Sequence, residues 1–355
     1  MRLGLFRAVL ALISFALTVG VGELFVRLVS PQPVSWLAIY RSHPDLPFFS
    51  MLPNKTLHVD TGETEWTIVT DAHGFRVPPQ ARAEAACTAL WLGDSFAFGH
   101  GVEYDESFIG LIEERTVGVR HVNTAVSGYG PVQYREMLEY LGDGGMDYDW
   151  VFVATYLGND FHDTQWEKNS VAVDGILGNE ADLKSFLKRN FHLYRLLTAN
   201  YHRLASGGGN RHDSVIEQLG LPSAWDEDFL ATASRRYASE MRRIQEYATH
   251  RGKQVGFLIL PTRDAAEHGV PGRTADSEGG TTPEGGKRRP MFPIERARKI
   301  LEGIGARYID LTPVVAAFRP EEMFYRFDGH LTPEANRLVA DEFVRHFSLR
   351  CGVTE

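Results

Sequence analysis

Two short segments, far apart in the chain, hold the residue types that acyl-transfer chemistry needs. The run Ala89-Leu90-Trp91-Leu92-Gly93-Asp94-Ser95 ends an apolar stretch on a serine, and Asp328-Gly329-His330 sets an acid and a histidine one residue apart, just ahead of Thr332-Pro333. A serine hydroxyl attacks a carbonyl only when a base takes its proton, and histidine is suited to that task near neutral pH. A carboxylate behind the histidine fixes its tautomer and stabilises its charged form. Ser95 is therefore the candidate nucleophile, His330 the base and Asp328 the orienting acid. The plainer readings are a helix cap for Ser95, a surface histidine ahead of a helix for His330, and a turn residue for Asp328. Neither segment alone decides between them; the pair favours chemistry.

Around these residues, Asp94 and Asp160 read as loop organisers that accept hydrogen bonds from backbone amides. No cluster of His or carboxylates with metal spacing accompanies Asp160. His100 and His162 read as exposed loop histidines. Trp91, Phe96 and Phe98 read as core, and Tyr129, Tyr156 and Trp166 as better placed to touch a substrate.

The elements that must position this chemistry alternate between strand and helix. Apolar runs predict strands at Ala89–Leu92, His121–Asn123, Trp150–Tyr156, Gln254–Leu260 and Arg307–Asp310. Helical patterns lie near 107–117, 131–142, 229–250, 293–303 and 334–347. In the last, Thr332 is a suitable cap, Pro333 a suitable first residue, and Ala335, Leu338, Val339, Phe343 and Phe347 share a face. Such alternation predicts a parallel sheet covered on both faces, a three-layer α/β/α fold with five mostly parallel strands. Ligands of open parallel sheets bind at the carboxyl ends of the strands. Ser95, Gly128, Asn159 and His330 each follow a predicted strand, so all four arrive at that edge.

Upstream, Ala8 to Gly22 is uncharged and apolar, and Arg2 and Arg7 precede it. Extended through Leu28, with Arg7 and Arg27 at its ends, residues 8–28 are long enough to cross a bilayer. The basic end is expected in the cytoplasm and the remainder outside. A cleaved signal peptide and a soluble amphipathic helix are the weaker alternatives. The expected organisation is an anchor at 1–29, a stalk with accessory strands at 30–86, and a main domain at 87–350. Residues 30–60 carry Pro31, Pro33, Pro44, Pro47 and Pro53 and read as an extended stalk, and Thr64–Thr70 as a short accessory strand at the edge of the main sheet. Within the main domain, 164–228 reads as a cap-like insertion, with a hairpin at Asp174-Gly175 and a helix through Phe186–Leu204. Residues 264–290 read as a flexible loop.

The 355 residues carry a net charge of −9, which argues against nucleic acid as a partner. The one dense basic run, Lys287-Arg288-Arg289, lies in a glycine-rich stretch and reads as a solvated loop. Two cysteines, Cys87 and Cys351, make neither a disulfide framework nor a four-cysteine zinc site. They leave open a single bridge from the tail to the first core strand, or one buried and one tail thiol.

The same motifs resemble those of the SGNH (GDSL-like) hydrolase superfamily over roughly residues 87–347. Gly93-Asp94-Ser95 resembles its first block, Asn123 to Gly130 its second, Gly158-Asn159-Asp160 its third and Asp328-Gly329-His330 its fifth. The likeness is greatest to membrane-anchored bacterial members, which often read Gly-Phe-Arg upstream, as at Gly74-Phe75-Arg76. It implies a flavodoxin-like fold and an acyl-Ser95 intermediate. It also implies an oxyanion hole made by the Ser95 amide, the Gly128 amide (in competition with Gly130) and the Asn159 side chain, with no metal or organic cofactor. Two departures stand out. Leu157 occupies a position that is usually glycine, and one residue rather than two separates Asp328 from His330. The Asp-x-His form is found in the polysaccharide O-acetyltransferase-like branch. The resemblance therefore implies an esterase acting on O-acetyl or other ester groups of surface or exported carbohydrate, on the outer side of a bacterial cytoplasmic membrane. O-acyltransfer, hydrolysis of lipids or lysophospholipids, and a non-catalytic role in polysaccharide assembly are its alternatives. An α/β-hydrolase is excluded by its Gly-x-Ser-x-Gly elbow, since Ala97 stands where the second glycine belongs.

Overall fold

The computed structural model describes residues 2–30, 37–61, 63–80, 82, 85–164, 171–173, 175–178, 183–205, 227–268, 292–326, 328–349 and 351. Two compact units divide the chain, one of residues 1–49 with 169–209 and the other of 50–168 with 210–355.

In the first unit, α1 (Arg2–Val29) is one uninterrupted helix. Its segment Val9–Val29 is 21 residues long with mean hydropathy 2.2, long and apolar enough to cross a membrane. At about 1.5 Å per residue that segment spans roughly the 30 Å of a bilayer's hydrocarbon. Near its end, Glu23 accepts hydrogen bonds from the His192 and Leu193 amides at 3.0 and 2.8 Å, and Arg27 donates to the Asn190 carbonyl at 2.9 Å. Asn190 closes the helix Leu183–Asn190, and His192 opens the helix His192–Ala205. The single helix expected through Phe186–Leu204 is thus two, broken at Phe191. Strand β1 (Tyr40–Ser42) also belongs to this unit. The chain passes to the second unit at β2 (Phe49–Met51). The hairpin expected at Asp174-Gly175 is present as β8 (Val171–Val173) against β9 (Ile176–Gly178), antiparallel.

The second unit opens with a hairpin, β3 (Thr56–Asp60) against β4 (Glu65–Val69), antiparallel. Two expectations are corrected here. Residues 30–60 contain short strands and do not run only as an extended stalk. The hairpin is a separate two-stranded sheet and not an edge of the main one. The main sheet holds β5 (Cys87–Gly93), β6 (Val119–Asn123), β7 (Trp150–Tyr156), β10 (Gln254–Leu260) and β11 (Tyr308–Asp310) in the order β11-β10-β7-β5-β6. Every neighbouring pair is parallel. This is the flavodoxin-like order, with its reversal between β5 and β7.

Helices cover both faces, as the alternation requires. On one face, Trp91 and Phe152 are neighbours in register, and Phe343 of the final helix Pro333–His346 packs on both, ring centroids 5.1 and 4.7 Å away. On the other, Tyr237 of helix Glu227–His250 reaches through to donate to the Thr155 hydroxyl at 3.1 Å. Thr332 caps the final helix through the Ala335 amide at 3.3 Å. Asn336, buried in that helix, accepts from the Phe108 amide at 2.9 Å and so fixes its position against α3 (Phe108–Arg115). Cys87 and Cys351 form a disulfide, which resolves the choice between bridge and free thiols. Lys287-Arg288-Arg289, most of 264–290 and the glycine run 207–209 lie outside the described residues.

Candidate active site

The last residue of β5, Gly93, has no room for a side chain, since a Cβ there would meet the Ala97 Cβ at 2.4 Å. The chain turns directly into α2 (Ser95–Phe98). Asp94, wholly buried, caps that turn by accepting from the Phe96 amide at 2.9 Å. Ser95 thus stands as the first helical residue at the carboxyl edge of the sheet. It is partly exposed among buried neighbours.

The partners arrive from the other end of the chain. His330 Nε2 lies 2.7 Å from Ser95 Oγ, and His330 Nδ1 lies 2.5 Å from Asp328 Oδ1. Gly329, at φ +78°, lies in the left-handed region, which a residue with a side chain rarely adopts. That turn lets acid and histidine meet with one residue between them. The His330 amide also donates to Asp328 Oδ1, at 3.3 Å. Burial favours neutral His330, but the charge and hydrogen bond of Asp328 outweigh it and hold the imidazole above its ordinary value. Burial would likewise raise Asp328, yet the neighbouring His330 and His100 keep it well below the usual carboxylate range.

The remaining candidates lie on loops after β6 and β7. Gly128 is exposed at φ +94°. Its loop is tied to the turn that carries Ser95 by the Val126 amide, which donates to the Gly93 carbonyl at 3.3 Å. Asn159 Nδ2 donates to Asp163 Oδ2 at 3.0 Å, while its Oδ1 is buried without a hydrogen-bond partner among the described residues. Asp160 lies beneath, accepting from the Tyr134 and Thr155 hydroxyls rather than from the backbone amides expected of it. Burial, with Asp94 nearby, pushes its carboxyl well above the ordinary range, and burial pushes Asp94 up to about 6. Tyr129 and Tyr156 are both buried, Tyr156 stacked on Phe96 at 3.8 Å. Trp166 lies outside the described residues.

His100 corrects the sequence reading most directly. It is 7% exposed, and its ring stacks on that of His330 at 4.3 Å. Its Nε2 lies 3.3 Å from Asp328 Oδ2. His162 is also half-buried, beside Phe229 with ring centroids 5.0 Å apart. His100, Asp328 and His330 are the one group of donors close enough for a shared metal ion among the described residues. Both oxygens of Asp328 already face an imidazole nitrogen.

Residues upstream of β5 brace this arrangement. Arg76, 1% exposed, donates to the carbonyls of Phe98, Gly99 and Val102 at 2.7, 2.5 and 2.6 Å. Burial lowers its guanidinium to about 10, which leaves it charged at neutral pH. The Glu63 carboxylate accepts from the Arg326 and Asp328 amides at 2.6 and 2.9 Å. Arg76 therefore grips the loop after Ser95, and the hairpin turn at Glu63 the loop that carries His330. Replacing Arg76 with methionine leaves three buried carbonyls without their donor, so a stability loss of about 3–5 kcal/mol is expected in denaturant unfolding.

Comparison with protein-family models finds no match, and neither does comparison with curated proteins. Solved structures are similar to this chain over most of their length. A member of the lipolytic protein G-D-S-L family from Veillonella parvula is 11% identical, with 73% of this chain and 97% of that one covered and a TM-score of 0.41. An acetylxylan esterase from Geobacillus stearothermophilus is 13% identical, with 78% and 100% covered and a TM-score of 0.38. A psychrotrophic esterase from Pseudoalteromonas sp. is 11% identical, with 73% and 95% covered and a TM-score of 0.38. The chain is similar to these proteins at low identity, a level of likeness that fixes neither reaction nor substrate.

Proposed function

We propose that the chain is a membrane-anchored serine esterase of the SGNH type, acting through an acyl-Ser95 intermediate. The observation that carries this reading is the continuous line Ser95 Oγ–His330 Nε2, His330 Nδ1–Asp328 Oδ1, at 2.7 and 2.5 Å. In the first half-reaction Ser95 Oγ bonds to the ester carbonyl carbon and its proton passes to His330 Nε2. The charge on the carbonyl oxygen is met by the Ser95 amide, the Gly128 amide and an N–H of Asn159. Ser95 opens a helical turn, where a backbone N–H has no intrahelical acceptor. The intermediate then collapses, the carbon–alkoxide bond breaks, and His330 protonates the leaving oxygen. In the second half-reaction His330 takes a proton from water, whose oxygen bonds to the acyl carbon. The bond from that carbon to Ser95 Oγ then breaks and His330 returns the proton to Ser95, freeing the acid.

The substrate class proposed is O-acetyl or other ester groups of exported or surface carbohydrate. Support comes from the Asp-Gly-His spacing and from the location we propose, outside a bacterial cytoplasmic membrane. The apolar Val9–Val29 helix and the disulfide, a bond that persists in oxidising compartments, support that location. The spacing also favours a second reading, transfer of the acyl group to a sugar hydroxyl by the same triad.

The test is a short-chain p-nitrophenyl ester with the full chain in detergent, together with a serine-directed phosphonate. A product burst and phosphonate mass on the peptide containing Ser95 support the reading. No turnover and no label overturn it in favour of a binding or assembly role. Sugar acceptors added to the burst separate transfer from hydrolysis. Asn159→Ala is expected to lower kcat by about 100- to 1,000-fold. A smaller loss removes Asn159 from the oxyanion site. The base must be neutral in the free enzyme, and Asp328 raises His330. So kcat/KM is expected to climb with pH along a limb whose midpoint lies above the ordinary histidine value of about 6.5. A midpoint below that value would contradict the Asp328–His330 pairing.

A further inference from the structure

Asp328 stands between two imidazoles, and only one of them belongs to the triad just proposed. His100 comes from the loop after α2, 93% buried. Its face lies against His330 at 4.3 Å, and Trp66 of the hairpin lies against it at 4.9 Å. Neither of its nitrogens makes a well-aligned hydrogen bond among the described residues, and the polar atom facing Nε2 is Asp328 Oδ2, at 3.3 Å. A buried polar ring with so little satisfaction is uncommon and calls for a reason. Arg76 holds the backbone on either side of it, at Gly99 and Val102, so the ring is held in place from both ends of its loop.

We propose that His100 is a positioning residue of the esterase site, whose Nε2–H engages the second oxygen of Asp328. This deepens the esterase reading and rests on it. The contact leaves Oδ1 for His330 Nδ1 and fixes the plane of the carboxylate, hence the ring orientation that puts Nε2 at Ser95. It also draws negative charge from Asp328, which moderates how strongly the carboxylate raises His330. Stacked on His330, His100 does this work as a neutral ring. Burial and the charge of His330 both push it below its ordinary value, against the opposing pull of Asp328. The charged and titratable groups around the pair are few. Asp328, His100 and Asp94 face His330, and Arg76, Asp328 and His330 face His100. Glu63 meets Asp328 at its amide. Tyr325, whose hydroxyl donates to the Gly101 carbonyl at 3.0 Å, stands close to the Asp328 charge.

The test uses two variants of the full chain in detergent. His100→Phe keeps an aromatic ring for the stack and removes the donor, whereas His100→Gln returns a donor at nearly the same reach. The first readout is titration of the His330 ring by NMR with ring-labelled histidine, assigned against His330→Asn, and it needs no turnover. The second is the pH profile and the kcat and KM of ester hydrolysis. In His100→Phe the His330 titration is expected to move up by about half a unit or more. At pH 7 its kcat should fall about tenfold with KM nearly unchanged, and His100→Gln should recover most of both effects. An unmoved titration in His100→Phe overturns the proposal, as does a glutamine variant no better than phenylalanine. If the wild-type chain turns over no ester, the esterase reading fails on its own. The titration alone then decides whether His100 acts on His330 through Asp328.

Discussion

Ser95→Ala is expected to lower kcat for ester hydrolysis by about a millionfold, with KM nearly unchanged. The size of the effect follows from the geometry. Among the described residues, Ser95 Oγ is the hydroxyl in line with His330 Nε2, so removing it leaves the base with nothing to deprotonate except water. The proposed oxyanion donors would still bind the carbonyl, and acceleration from that source alone would survive as a small residue of activity. The fold should not suffer, because Asp94, not Ser95, caps the helical turn. Steady-state kinetics beside a thermal melt check both halves of the prediction. Loss of less than about a hundredfold would mean that another nucleophile, or activated water, carries the reaction.

Asp328→Asn comes second, with an expected fall in kcat of about ten-thousandfold. The substitution keeps the size of the side chain and reverses the polarity of one of its arms. Where Oδ1 now accepts from His330 Nδ1 at 2.5 Å, an amide nitrogen would donate to it. The proton then resides on Nε2, aimed at Ser95 Oγ, and the imidazole cannot accept the hydroxyl proton. His100 makes the site sensitive to which way the amide flips, because one orientation leaves its Nε2 facing a second donor. Phosphonate labelling should slow by a factor similar to kcat, since both need activated Ser95. Labelling at the wild-type rate would show that Asp328 does not govern the tautomer of His330.

Much of the fold was legible because the central strands are buried on both faces and read as unbroken apolar runs. The expected bounds of Trp150–Tyr156 and Gln254–Leu260 are those observed. Ser95 was legible because it stands at the end of such a strand, and Asp328 and His330 because they precede a well-signalled helix start. His100 was not. Between Gly99 and Gly101 it looks like a loop residue, and nothing local reveals that Trp66, Arg76 and Asp328 close over it from distant parts of the chain. The strand Thr56–Asp60 was missed for a related reason. The prolines before it suggested an irregular stretch, and its partner strand is short enough to read as an isolated accessory. The helix break at Phe191 has no glycine or proline to mark it.

Ser95 and His330 are 235 residues apart, and the segment from Glu63 to Arg76 that braces both loops precedes them. Contacts of such long range form late, after the loop entropy between them has been overcome. A nascent chain that has exposed its serine therefore has no base until nearly all of it has been made. If α1 threads the chain outward as it is synthesised, Ser95 meets its proposed base only on that outer side, and acylated molecules in the cell that makes it would be spared.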